Sequence, residues 1–552
     1  MTRRRTRAGA AAALLALALL AGGCSDAGGG VRGVPGAAGL RDPYFPKLGN
    51  GGYDVRHYAL SLAYDPGTGR LDGTAEITAR ATQDLSAFNL DLAGLTVSGA
   101  TVDGDPAAYN RAGDELTLRP REDIRDGAEF KATVTYTGVP EPITDADGSE
   151  EGWLRTDDGA VAVGEPAGSM TWFPGNHHPA DKAVYDITLT VPAGLEALSN
   201  GVRTERRTEG DGRVTTVWRS SEPMASYLAT VAIGRYETAM ATATAPPKAT
   251  APTPEPTSDA SASESQPASE SASASDASAS TSDASASASD ASASASQPAS
   301  TSASASASAS ASEPASASAS EPSASKSATA PRSLPVLTAA EPSVAAGSAA
   351  LRGEIPKILA RQAERFGPYP FSAAGAIVTE DGTLGYALET QTRPVFPAAA
   401  FDRTTLVHEL AHQWFGNSVT PATWRDLWLN EGFATYAEWL YTEEYGDVPA
   451  RTHFERAFAQ DANWAFPPAA PPAAENLFDP PVYQRGAMVL HKLRETVGDA
   501  AFDEILRGWP AKYRHANAST ADFTAYAESV AGRDLDGLWK VWLYGEGKPD
   551  KP

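Results

Sequence analysis

The sequence predicts a multidomain α+β protein, with a mainly antiparallel β domain followed by a mainly helical domain. Three observations support this prediction. Residues 45–240 contain runs of alternating apolar and polar side chains separated by Gly, Asp and Pro, which is typical of half-buried strands. Residues 241–333 contain almost no large apolar side chain, whereas residues 334–552 carry apolar side chains at helical spacing. A chain of 552 residues is long enough for two or three domains.

The charge of the chain excludes one class of function. Its 45 Lys and Arg residues against 69 Asp and Glu residues give a formal net charge of -24. Proteins that bind nucleic acid through a surface patch usually concentrate positive charge. We therefore expect no nucleic-acid partner.

The amino-terminal segment has the features of an export signal. Residues 1–23 combine an arginine-rich start with a short apolar run and small residues. The stretch "LAGGC" resembles the lipobox of bacterial lipoproteins and ends at Cys24, the only cysteine of the chain. We therefore expect removal of the signal, a lipid on Cys24 and an extracytoplasmic protein anchored to the membrane, with plain secretion as the alternative. Residues 24–44 are then expected to form a linker.

Two runs define the predicted strands of the β domain most clearly. In "YALSLAYD" and "VYDITLTVP" the large apolar side chains occupy every second position, which places them on one face of a strand. The predicted buried positions are Tyr58, Leu60, Leu62, Tyr64, Tyr185, Ile187, Leu189 and Val191.

The insert at 241–333 is expected to be disordered. Repeats such as "SASASDASAS" cannot bury enough apolar surface to offset the conformational entropy lost on ordering. Its composition suits O-glycosylation or a spacer across a cell wall, and an unselected repeat expansion is an equal alternative.

Helical patterns dominate the part of the chain after the insert. In "FDRTTLVHELAHQWFGN", Asp402 is the predicted N-cap of a helix and Gly416 its predicted stop. A second helix is predicted over 430–445, and a third from Tyr483 to the residue before Gly498.

The first of these helices carries a metal-binding pattern. His408 and His412 are one helical turn apart, so both imidazoles can reach one ion. A catalytic zinc ion needs three protein ligands, and Glu431, separated from His412 by eighteen residues, supplies a carboxylate as the third. Glu409 then remains free to act as a general base. The sequence therefore predicts one Zn2+ per chain.

This pattern, within "VHELAHQWFGN" and "LWLNEGFATY", resembles the M1 family of zinc aminopeptidases. The resemblance covers nearly the whole chain outside the signal and the insert, and includes "RFGPYPF" and "YQRGAMVLHKL". It implies a saddle-like amino-terminal β domain, a thermolysin-like catalytic domain and removal of amino-terminal residues from peptides. It also implies that Tyr483 is the catalytic tyrosine, whose phenol would hydrogen-bond the developing oxyanion.

Two carboxylates are implied as anchors for the substrate's amino group. The stretch "LGYALETQTRP" corresponds to the family's GxMEN strand and implies Glu389, although Tyr386, Leu388 and Thr390 depart from the pattern. The stretch "GEPAGSMTWFP" implies Glu165, with Met170 in place of the family's arginine. A carboxylate is the natural partner of an α-ammonium group, so peptides with a free amino terminus are the expected substrates.

Two alternative functions stay open at this point. The changed "YALET" stretch leaves room for a zinc endopeptidase with the same ligands, and the lipobox leaves room for a non-catalytic zinc-containing surface lipoprotein. A second metal site at His177 and His178 is not expected, and these residues are expected to lie in a solvated turn.

Overall fold

The computed structural model describes residues 33–145, 148–244 and 333–550. The predicted signal at 1–23, Cys24 and nearly all of the predicted insert lie outside these ranges. No helix within the described ranges is both long enough and apolar enough to cross a bilayer.

An eight-stranded sheet forms the largest part of the β domain. Its strands are antiparallel except where Lys182–Val191 runs parallel to Tyr53–Asp65. The alternation predicted for these two strands is confirmed, since all eight predicted positions are buried. In spatial order the strands are Val202–Thr208, Val214–Ala225, Lys182–Val191, Tyr53–Asp65, Arg70–Ala81, Glu129–Gly138, Thr96–Val102 and Asp105–Pro106.

Two smaller sheets complete the β domain. One contains Val34–Pro35, Leu85–Asp91, Glu115–Arg119 and Ala108–Ala112, and the other contains Ile143–Thr144, Glu150–Arg155, Ala160–Val163, Val231–Gly234 and Glu196–Ser199. The pairing of Val34–Pro35 with the strand that starts at Leu85 places part of the predicted 24–44 linker inside the fold. Its Gly- and Ala-rich composition carries no strand pattern, so the pairing could not be read from the sequence.

A four-stranded sheet bridges the predicted domain boundaries. Glu237–Thr244 pairs antiparallel with Ser333–Ala340, which continues in parallel to Ala374–Thr379 and Val395–Pro397. The boundaries at 240/241 and 333/334 therefore change, because residues 241–244 and 333 are strand residues that were assigned to the insert. The strand "ETAMATAT" has mostly small side chains like those of the insert, so its composition did not indicate a strand.

Helices and short strands build the rest of the catalytic domain. The helices are α1 Pro342–Arg352, α2 Ile355–Phe366, α3 Arg403–Ala411, α4 Trp428–Tyr445, α5 Ala450–Ala459, α6 Gly486–Val497, α7 Asp499–Lys512, α8 Thr520–Ala531 and α9 Asp536–Leu538. A two-stranded parallel pair joins Thr420–Pro421 to Asn517–Ala518, and a π-helical turn, Pro481–Arg485, precedes α6.

Helix α3 begins at its predicted N-cap but ends earlier than predicted. The Asp402 carboxylate accepts hydrogen bonds from the backbone N–H groups of Thr404 at 2.8 Å and Thr405 at 3.0 Å, as expected of an N-cap. Helix α3 nevertheless ends at Ala411 rather than near Gly416. Gly416 lies in the following turn at φ +121°, a conformation that favours glycine, and brings the chain back toward α4.

Candidate active site

The imidazoles of His408 and His412 and the carboxylate of Glu431 meet between α3 and α4. Glu431 Oε2 lies 3.2 Å from His408 Nε2 and 3.5 Å from His412 Nε2. One donor atom from each of the three residues lies within 4.8 Å of the other two. Two ring nitrogens and one carboxylate are a known ligand set for catalytic zinc.

A second partner orients each imidazole. His408 Nδ1 lies 2.6 Å from a carboxylate oxygen of Glu438, and His412 Nδ1 donates to the backbone carbonyl of Phe415 at 3.1 Å. These acceptors keep a proton on Nδ1, so Nε2 is the ring nitrogen that faces Glu431 and is available to bind a metal. Both rings are thus prepared as metal ligands.

Glu438 was not identified from the sequence. It lies seven positions after Glu431 in α4, which is two helical turns and therefore the same helix face. That spacing was the available signal, because a zinc-binding histidine usually donates its other ring N–H to an acceptor.

Glu431 supplies a negative charge to the cluster. Burial opposes ionisation of Glu431, but His412 and His408 outweigh it and lower the pKa of this carboxyl to about 2. Its carboxylate is therefore ionised at neutral pH. The residues present fit one Zn2+, and three protein ligands leave a position for substrate or water.

Substitution of Glu438 by Ala is expected to weaken zinc binding about 10- to 100-fold, because His408 loses the acceptor that fixes its ring. Competition for zinc with a chromophoric chelator measures this change. Glu444→Ala is the matched control, because Glu444 lies on the same helix but pairs with Arg365 away from the cluster. Equal zinc affinity in the two variants would contradict the assigned role of Glu438.

Glu409 lies beside the cluster but is not one of its three predicted metal ligands. A carboxylate oxygen of Glu409 lies within 4.8 Å of donor atoms of His412 and Glu389. Burial raises its pKa to about 7, with Glu389 and Glu431 adding to the increase and the two histidines opposing it. A carboxyl group with this pKa can both accept and release a proton near neutral pH.

Tyr483 faces the cluster from the π-helical turn. Its ring stacks on His408, with the ring centroids 6.2 Å apart and an angle of 19° between the planes. Burial, reinforced by Glu431 and Glu165, raises the pKa of the phenol well above its usual value. The hydroxyl therefore keeps its proton and can donate a hydrogen bond.

A close crossing of two helices places Tyr483 there. A Cβ atom on Gly432 in α4 would lie 2.9 Å from the backbone of Gly486 in α6, and the reverse contact is equally short. Only glycine at both positions permits this approach. Because Gly432 follows Glu431 directly, the crossing joins the third predicted ligand to the turn that carries the tyrosine.

The two predicted anchors, Glu165 and Glu389, converge on the same cleft from different domains. Both side chains are buried, and Oε1 of each has no hydrogen-bond donor among the described residues. Burial raises the pKa of both carboxyl groups, and Glu389 and Glu431 raise that of Glu165 further. Buried carboxylate oxygens without donors need a positively charged or hydrogen-bonding partner.

The residues that follow the zinc-binding pattern hold the Glu389 segment in place. The backbone carbonyl of Glu389 accepts hydrogen bonds from Gln413 Nε2 at 3.1 Å and from Asn417 Nδ2 at 2.7 Å. The Gln413 side chain also accepts from the backbone N–H of Thr392 at 2.8 Å. Sequence reasoning missed both side chains, although polar groups within an apolar stretch were a signal that they have buried partners.

A buried lysine joins the β domain to this segment. Lys182 Nζ donates to the backbone carbonyls of Asn417 and Ser418, each at 3.0 Å. Burial lowers the pKa of Lys182 to about 7. The β domain is thereby attached beside the residues that support Glu389.

The prediction that His177 and His178 lie in a solvated turn is wrong. Both are buried, with His177 Nε2 3.0 Å from the carbonyl of Phe173 and His178 Nε2 3.2 Å from Asp42 Oδ2. Asp42 also accepts from the backbone N–H of Trp424 in the catalytic domain. These histidines are therefore part of the packing between distant segments, which adjacent residues in the sequence could not reveal.

Comparison with known families gives a match for the β domain and a match for the catalytic domain. Residues 55–228 match the model of the peptidase M1 N-terminal domain, and residues 399–542 match that of the peptidase family M1 domain. The second match contains the histidines, Glu409, Glu431 and Tyr483, and the first contains Glu165.

Curated relatives are similar over part of the catalytic domain. Aminopeptidase N of Streptomyces lividans is 35% identical over 157 residues, and aminopeptidase M1-D of Oryza sativa subsp. japonica is 33% identical over 155 residues. Each match covers 26% of this chain and only 18% of the relative's length.

Solved structures are similar over nearly the whole chain. The M1 zinc metallopeptidase of Deinococcus radiodurans superimposes with a TM-score of 0.73 at 26% identity, covering 93% of this chain and 98% of that one. A variant of it with a bound Tyr-Ser-Ala substrate gives a TM-score of 0.72 at the same identity, covering 93% and 99%. The zinc-type ligand cluster, the two family matches and this shared two-domain fold lead to one conclusion: the chain belongs to peptidase family M1.

Proposed function

We propose that this protein is a zinc-dependent aminopeptidase that removes amino-terminal residues from peptides. The observation that carries the proposal is the pair of buried carboxylates, Glu165 and Glu389, beside the His408, His412 and Glu431 cluster. Their Oε1 atoms have no donor among the described residues, and an α-ammonium group supplies both positive charge and three N–H donors. A peptide held this way presents its first carbonyl to the metal site.

The chain's own side chains then have separate tasks. When bound, Zn2+ polarises the scissile carbonyl and lowers the pKa of a water molecule. Glu409 takes the proton from the attacking water and delivers it to the leaving amine, which its pKa of about 7 permits. Tyr483 donates a hydrogen bond to the oxygen that becomes negatively charged. Glu165 and Glu389 fix the position of the amino group, so cleavage occurs after the first residue.

The neighbouring solved structure supports peptides as the substrate class, because that protein was crystallised with a Tyr-Ser-Ala substrate. The export signal at 1–23 and the lipobox ending at Cys24 support attachment to the outer face of a cell membrane through lipid. Replacement of Cys24 by Ser is expected to release the protein from membrane pellets into the soluble fraction. Unchanged membrane association of that variant would count against lipid attachment.

Substitution of Glu389 by Gln is expected to raise KM for a short peptide about 10- to 100-fold, because a neutral amide replaces the charged carboxylate that binds the ammonium group. Initial rates over a range of peptide concentrations measure this change. Glu222→Gln is the control, because Glu222 is a half-buried carboxylate that accepts a hydrogen bond from Ser372. An unchanged KM, together with cleavage at internal bonds, would favour an endopeptidase.

A further inference from the structure

We propose that Glu151 is a positioning residue that holds the Glu165 carboxylate in the cleft. No motif in the sequence points to Glu151, and it contacts neither the predicted metal ligands nor Glu409 in the hydrogen-bond network. The inference rests on the proposed function, because it assigns Glu151 a role in capturing the substrate's amino group.

The contacts of Glu151 lie directly beside Glu165. Glu151 Oε2 accepts hydrogen bonds from the backbone N–H groups of Ala167 at 2.9 Å and Gly168 at 2.7 Å. These are the first two N–H groups after Glu165, since Pro166 has none. One oxygen atom therefore fixes the turn in which Glu165 lies, and Glu151 is only 1% exposed.

The backbone around Glu151 is built for this contact. A Cβ atom on Gly168 would lie 2.3 Å from the backbone nitrogen of Gly152, the residue next to Glu151. Gly152 itself has φ +102°, and a Cβ there would lie 2.5 Å from Thr171 Oγ1. The backbones of the strand Glu150–Arg155 and of the turn after Glu165 are therefore in close contact. This contact places the Glu151 carboxyl within hydrogen-bond distance of the N–H groups of that turn.

Other side-chain hydrogen bonds hold the later residues of the same turn. Thr171 Oγ1 donates to the carbonyl of Gly168 at 2.8 Å and accepts from the backbone N–H of Trp153 at 3.1 Å. Ser169 Oγ donates to the carbonyl of Ser226 at 2.7 Å. These side chains hold the segment from Gly168 onward, so the two peptide groups nearest to Glu165 are the ones held by Glu151.

Burial raises the pKa of Glu165, and the charges of Glu389, Glu431 and Glu409 raise it further. A negative charge at this position is therefore unfavourable without a bound cation, and the hydrogen bonds of Glu151 help to keep the side chain in place. Burial raises the pKa of Glu151 to about 8, which keeps much of it protonated at neutral pH. In that form it still accepts the two N–H groups, and its charge raises the pKa of Glu165 less than the charges of Glu389, Glu431 and Glu409 do.

The test compares Glu151→Ala with Glu151→Gln. Alanine removes both hydrogen bonds, so we expect KM for a short peptide to rise at least about fivefold with kcat within about twofold of the parent. Glutamine presents an amide oxygen in the same place and is expected to restore KM. Glu115→Ala is the control, because Glu115 is another carboxyl of the β domain with a pKa raised by burial, in a different sheet.

A double-mutant cycle with Glu165→Gln separates positioning from a general loss of packing. We expect Glu151→Ala to add little to KM once Glu165 is already replaced. A full additive effect, or an unchanged KM in Glu151→Ala, would overturn the proposal. If the alanine variant does not fold, Glu151→Asp replaces it, because its shorter side chain cannot reach both N–H groups.

The same series separates two failures. An unchanged KM in Glu165→Gln would remove Glu165 from the proposed function and the role of Glu151 with it. A raised KM in Glu165→Gln with an unchanged KM in Glu151→Ala would leave the aminopeptidase proposal intact and reject the positioning role alone.

Discussion

Replacement of Glu409 by Gln is expected to reduce kcat at least about 1,000-fold while zinc content stays at one ion per chain. The amide has nearly the same shape as the carboxylate but cannot accept a proton from the attacking water. His408, His412 and Glu431 are unchanged in this variant, so its metal site is intact. Steady-state hydrolysis of a short peptide and elemental analysis of the purified protein check the two parts of this expectation.

Glu444→Gln provides the control for Glu409→Gln, because it makes the same chemical change on α4 outside the cleft. Loss of zinc in Glu409→Gln would mean that Glu409 is needed to hold the metal rather than to transfer protons. Retention of more than about a tenth of the parent kcat would reject the proton-transfer role.

Replacement of Tyr483 by Phe is expected to lower kcat about 100- to 1,000-fold with little change in KM. The phenol hydrogen bond forms with charge that develops only in the transition state, so its removal affects the chemical step more than binding. The phenyl ring preserves the stacking on His408 that the tyrosine makes. Steady-state kinetics resolve kcat from KM.

Tyr544→Phe is the matched control, since Tyr544 is 49% exposed near the carboxyl terminus. A parent-like kcat in Tyr483→Phe would show that another donor stabilises the oxyanion. An increase confined to KM would instead assign Tyr483 to substrate binding.

The zinc cluster was predictable because its determinants are local. A helix brings His408 and His412 to the same face, and Glu431 lies in the first turn of the helix that follows. The strand faces at Tyr58 and Tyr185 were predictable for the same reason, since alternation along one strand decides which side chains are buried.

The proposed substrate anchors depend on contacts between distant segments. Periodicity alone would have left Glu165 in a surface loop, and only the resemblance to a family singled it out together with Glu389. Glu151 gave no signal at all, because its role depends on a turn that packs against its strand. The burial of His177 and His178 was missed for the same reason, since the backbone N–H of His177 donates to Asp91 and His178 contacts Asp42.

The insert limits were missed for a compositional reason. Residues 241–244 have small side chains like the repeats that follow them, yet they pair with Ser333–Val336 as the end of a regular ladder. Backbone hydrogen bonding between strands does not require large side chains, so composition underestimated the extent of the sheet.

Hydrolysis of one short peptide with a free amino terminus and of its N-acetylated twin distinguishes an aminopeptidase from an endopeptidase. Mass spectrometry follows the products over time, with and without a zinc chelator. The proposed aminopeptidase activity predicts chelator-sensitive, stepwise loss of amino-terminal residues from the free peptide and no cleavage of the acetylated one. Cleavage of both peptides at internal bonds would contradict it and would mean that Glu165 and Glu389 do not bind an α-ammonium group.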